Sequence, residues 1–148
     1  MDEDEHRQVA KDQFNAVWEL LDRSDRTAAD DDARLVAAFT SRHHWGLAGG
    51  PEQWAVGDWQ IAHVAAHLGL GDLATRFATR ALERVEAEAI GGWLLASCYE
   101  GMARAAAARG DADDFGRWRA HCVTALSSVA DAEDRALIES QLASIPAD

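Results

Sequence analysis

WAVGDWQIAHVAAHLGLGDLATRFATRAL, residues Trp54–Leu82, carries two helical signatures on either side of a break. Trp59, His63 and His67 recur every fourth residue, so they run along one stripe of a first helix. Gly69 and Gly71 interrupt that helix. In a second, amphipathic helix, Leu73, Phe77, Ala81 and Leu82 share the apolar side. A helical hairpin is therefore expected from Trp54 to about Ala89, closed by Gly91-Gly92.

Upstream the same reading continues. Ala48-Gly49-Gly50-Pro51 is a stop followed by a start, since glycine ends one helix and proline suits the first turn of the next. Before it, Leu35, Val36, Phe39 and His43 mark a helix ending near His44-Trp45-Gly46. Asp30, Asp31 and Asp32 sit in its first turn, where the helix dipole favours acids; they lack the alternating spacing of a calcium loop. Val9, Phe14, Val17, Trp18 and Leu21 predict a first helix from about His6 to Asp22, and Met1–Glu5 reads as a frayed acidic tip. Downstream, Trp93–Gly110 forms a fifth helix. Phe115, Trp118, Cys122, Leu126 and Val129 mark a sixth, and Leu137, Ile138, Leu142 and Ile145 a short last one stopped by Pro146. The expectation is an all-α chain of about seven helices, forming one domain over residues 1–148.

Composition narrows the function. A hydrophobic share of 48% supplies a core, which sets disorder aside. With 14 Lys+Arg against 26 Asp+Glu, the net charge of -12 leaves no material for a phosphate-binding patch, so nucleic acid and anionic membrane surfaces are excluded as partners. A basic peptide or a metal cation is electrostatically easier. No apolar run approaches the roughly 20 residues of a membrane span, and the acidic start MDEDEHR is the opposite of a signal peptide, so a cytoplasmic location is expected. Cys98 and Cys122 make no disulfide framework and read as buried, reduced thiols at similar heights in one hairpin.

The two central hairpins resemble each other. Trp59, Ala62, Ala65, Ala66 and Gly71-Asp72 correspond to Tyr99, Met102, Ala103, Ala106 and Gly110-Asp111. Phe77 with Ala81-Leu82 corresponds to Trp118 with Ala125-Leu126. The turns lie 39 residues apart and the Ala-Leu pairs 44 apart. Over Trp54–Val129 this resembles the tetratricopeptide repeat, a helix-turn-helix unit of about 34 residues, and is similar to short bacterial proteins with such a layout. Here the units are longer and no proline follows the second helix. The resemblance implies a short solenoid of stacked hairpins, the first two helices forming a degenerate unit and the last one a cap.

It also implies that the first helix of each unit lines a concave groove, which would carry Trp59, His63, Ser97, Glu100 and Arg104. Periodicity agrees for the fifth helix, where Leu94, Leu95, Cys98, Met102 and Ala106 form the apolar stripe and Ser97, Glu100 and Arg104 another face. An aromatic, an imidazole, a carboxylate and a guanidinium on adjacent helices suit a peptide or a small polar ligand. The plainer alternatives are a packing plug for Trp59 and a solvated i,i+4 ion pair for Glu100 with Arg104.

His63 and His67 also have the spacing at which two imidazoles share a metal, with His44 and Glu100 as further ligands to zinc or a similar divalent ion. The zincin pattern is absent, because no glutamate follows the first histidine. The other account has His63 hydrogen-bonding Glu100 with no metal. His6 and His121 read as isolated. The leading expectation is a non-catalytic module binding a protein, a peptide or a small ligand in its groove, without a cofactor. The alternatives are a metal-dependent, hydrolase-type enzyme or small-molecule-binding protein using the His/Glu cluster, and a structural homodimer subunit.

Overall fold

The computed structural model describes residues 1–146; the last two residues of the expected domain lie outside the described residues. The order is α1 (Glu3–Leu21), α2 (Ala28–Ala48), α3 (Pro51–His67), α4 (Gly71–Ala87), α5 (Gly92–Ala108), α6 (Ala112–Leu126) and α7 (Ala132–Ala143). No strand occurs among the described residues. Among the described residues no helix is long and apolar enough to cross a membrane.

Local chemistry sets most boundaries. Asp2, Asp111 and Asp131 accept hydrogen bonds from backbone N–H groups three residues on, at the starts of α1, α6 and α7. Thr27 and Asp30 cap α2 reciprocally. The acidic tip is therefore not frayed: Asp2 and Glu5 form a capping box that begins α1 at Glu3. Acids there are helix signals, satisfying orphan N–H groups at the positive end of the dipole.

Helices α3, α4 and α5 end alike. Gly69 and Gly110 take left-handed φ of 75°, and paired bonds such as Leu70 N to Ala65 O (2.9 Å) and Gly69 N to Ala66 O (3.1 Å) close each turn. At the end of α4 that position falls to Ala89 (φ 53°), two residues before the Gly91 expected to close the hairpin.

Consecutive helices pack as the pairs α1·α2, α3·α4 and α5·α6. Each second helix also packs on the next pair's first, α3 touches α5, and α7 lies on α5. The core falls into three interior clusters, centred on Val17, Ala38 and Ile61, on Ala62, Ala78 and Leu94, and on Cys122, Leu126 and Ile138. α3 contributes to two of them and α5 to two, so both are enclosed on nearly every side. Every residue from Gly57 to Ala65 is buried. The abundance of alanine permits this close approach, and Gly101 shows its limit: a Cβ there would lie 3.0 Å from the Trp59 indole.

Candidate functional site

The odd-numbered helices line one groove of about 580 Å³. Phe14 and Trp18 come from α1, Val56 and Trp59 from α3, Trp93, Leu94 and Ser97 from α5, and Leu137, Ile138 and Gln141 from α7. Phe14 and Trp18 stand one turn apart with ring centroids 5.9 Å from each other, and Trp18 lies 5.8 Å from Trp59. Trp93 and Leu137 remain 41% and 59% exposed, so large apolar surface faces solvent at the mouth. Two carboxylates complete the lining, Asp22 at the C-cap of α1 and Asp134 in the first turn of α7.

Of the five groove residues expected from the sequence, Trp59 and Ser97 line the groove. The other three do not. Glu100 and Arg104 are buried beneath it. Trp59 Nε1 donates to Glu100 Oε2 (3.1 Å) and Arg104 Nε to Glu100 Oε1 (2.8 Å). Arg104 Nη2 then donates to the Gln141 carbonyl (2.7 Å) and Ser144 Oγ (2.9 Å), at the C-terminal end of α7. That end presents unsatisfied carbonyls and the negative pole of the helix, so it suits a guanidinium. Helix α7 thus covers the face of α5 that the sequence offers to solvent or ligand. The pair is neither a solvated surface bridge nor an open ligand contact, and the Trp59 indole is both plug and hydrogen-bond donor.

His63 is buried too. Its Nε2 lies 3.1 Å from Nε2 of His67, its Nδ1 has no partner among the described residues, and Trp18 and Trp59 rings pack within 5.3 Å of it. It does not bond Glu100, whose oxygens go to Trp59 and Arg104. Burial, followed by the positive charges of Arg104, His67 and Arg34, pulls its pKa well below the usual range. His67 is lowered to about 4, by burial first and then by Arg104, Arg34 and Arg26. Near neutral pH both rings are uncharged, one donating to the other.

The expected metal set does not assemble. Among the described residues, no three His, Cys, Asp or Glu groups are placed to hold one ion. His44 pairs with His6, Nδ1 to Nδ1 at 2.8 Å, so His6 is not isolated. Glu100 is spent on Arg104 and Trp59. The guanidinium charges that depress both imidazoles would also oppose a divalent cation beside them.

Several polar positions carry no local signal in the sequence. Asp58 is buried and holds Arg42 of α2 (2.9 Å) and Arg80 of α4 (3.3 Å). Gln60 Nε2 donates to the Phe14 carbonyl (2.9 Å), anchoring the groove wall of α1 to α3. Arg34 is buried, with Nη2 on Asp31 and with Nε and Nη1 lacking partners among the described residues. His121 stacks on Tyr99, with centroids 5.2 Å apart. The i,i+4 pair Phe14–Trp18 is the one signal from which the α1 wall is legible. Cys98 and Cys122 are free and buried, and burial pushes both thiols up to about 12, which keeps them protonated and poor nucleophiles.

No protein-family model matches this chain, and neither a curated protein nor a solved structure shows significant similarity to it.

Proposed function

We propose that the protein is a non-catalytic, tetratricopeptide-like helical module that takes an apolar-bodied ligand into its concave groove. One observation carries the reading. The first helices of three successive hairpins and the final helix converge on a single groove of about 580 Å³, walled by three tryptophans and a phenylalanine. Ligand sites are mostly apolar clefts of roughly this size with few polar groups. The polar groups expected to grip a ligand lie beneath, already paired with one another. They support the groove by fixing Trp59 and anchoring α7, and leave binding to apolar area, with the Ser97 hydroxyl in the lining available for orientation. The setting proposed is the cytoplasm, where thiols such as Cys98 and Cys122 stay reduced.

The test uses Nile red, an uncharged dye whose emission reports an apolar site. Saturable binding at one site is expected. Trp93→Ala and Leu137→Glu, both at exposed positions, should abolish it while leaving far-ultraviolet circular dichroism and melting unchanged. Dye binding that survives both substitutions would place the apolar site elsewhere and end the reading.

A further inference from the structure

The charged groups of the groove are all of one sign. Its lining contains Asp22 and Asp134 and no lysine, arginine or histidine. Neither carboxylate takes part in an ion pair or accepts a side-chain hydrogen bond among the described residues. The nearby cations on the loop after α1 are otherwise engaged: Arg23 with Asp25 (3.4 Å) and Asp30, Arg26 with Asp31 (3.4 Å) and with the Leu21 and Arg23 carbonyls.

The position of Asp22 is the less expected of the two. Asp134 sits at a helix start, where an acid stabilises the helix whatever else it does. Asp22 is the C-cap of α1, at the negative pole, and no basic residue lies in the last turn of α1. An acid there is unfavourable for the helix, so helix stability does not account for it. Trp18, Trp59 and Trp93 line the same groove as the two carboxylates, and aromatic ring faces carry negative electrostatic potential that attracts cations once water is excluded. The whole chain adds a net charge of -12, which raises the local concentration of positive solutes.

We infer that the groove selects an apolar organic cation of small-molecule size, a substituted ammonium with an aromatic or alkyl body, its charge among the tryptophan faces and between Asp22 and Asp134. The volume of about 580 Å³ holds such a molecule whole. This rests on the groove-binding reading above and adds the sign of the charge to it.

Three probes of similar shape separate the two claims: phenethyltrimethylammonium, its uncharged carbon isostere (3,3-dimethylbutyl)benzene, and the anion 3-phenylpropionate. Each is titrated by calorimetry and by displacement of Nile red. The cation should bind at one site roughly tenfold more tightly than the uncharged isostere, the two carboxylates and the aromatic faces contributing together, and the anion more weakly than either. The double variant Asp22→Asn/Asp134→Asn should shrink the preference to about twofold and still bind Nile red, and added salt should weaken only the cation. Equal binding of cation and isostere, a preference for the anion, or a preference unchanged in the double variant would overturn the inference. If the protein takes up Nile red but not the cation, the inference alone fails. If it takes up neither, both readings fail.

Discussion

Asp58 on α3 and Glu100 on α5 are both buried carboxylates held by arginines, yet the two sites are built differently. Asp58 is 3% exposed, but its partners reach it from outside: the side chain of Arg42 on α2 is 17% exposed and that of Arg80 on α4 is 50%. Glu100 is fully buried and Arg104 is 4% exposed, with the indole of Trp59 and the end of α7 filling the places water would take. If Asp58 is lost, its arginines can turn to solvent. If Glu100 is lost, Arg104 keeps only the α7 contacts and stays enclosed. Burial of the cation, more than burial of the acid, decides how much each site matters.

The largest expected effect is that of Glu100→Ala. It strands a buried guanidinium and an indole N–H, so a loss of about 3–5 kcal/mol is expected in denaturant unfolding. A loss smaller than that of the Asp58 variant would break the comparison.

The second effect is pH-dependent and belongs to the Glu100 side, where Arg104 is the strongest charge acting on His63 and His67. Both histidines have folded-state pKa values below the unfolded 6.5, so between those values the unfolded chain binds more protons. Their contribution is complete above pH 6.5 and is lost as pH falls toward the folded values, about 4 for His67. From pH 6.5 to 5.5 His67 should cost roughly 1 kcal/mol of stability, with His63 acting in the same direction. Unfolding measured at the two pH values checks this, and the double variant His63→Phe/His67→Leu should flatten the response. A slope unchanged in that variant would assign the titration to other groups.

Asp58→Asn follows, with an expected loss of about 1–2 kcal/mol, because the amide keeps one acceptor and both arginines can hydrate. The smallest effect is that of Arg80→Ala, within about 1 kcal/mol, since a half-exposed ion pair gains little over water. A larger loss on melting would mean that the Arg80 stem, whose guanidinium lies 5.0 Å from the Phe77 ring, contributes by packing.

How far the candidate site was legible in the sequence differs residue by residue. Trp59 and Ser97 are expected at the groove from the resemblance to the repeat, and both line it; helical period by itself only sets Ser97 on a different face of α5 from the apolar stripe. Glu100 and Arg104 were found as an i,i+4 pair, but their exposure was misjudged. α5 has polar residues on one face, and nothing local says that α7 folds across it. The sequence offers Trp93 only as the start of the fifth helix and Leu137 as an apolar position of the last one; their place at the groove mouth depends on two helices meeting. His63 and His67 were rightly seen as neighbours, but whether a carboxylate or two guanidinium groups stood beside them was decided by α2 and α5.

The sequence by itself determined the helices and most of their ends, because 3.6-residue periodicity, N-terminal acids and left-handed glycines act within a few residues. It also determined the sign of the charge the protein carries. Only the tertiary structure decided which polar groups are sealed inside and which surface is left to bind. The bonds responsible, Trp59 to Glu100 and Arg104 to Gln141, join residues 41 and 37 positions apart. A helix shows its own stripes in its sequence, but which stripe meets solvent depends on the helices that pack against it.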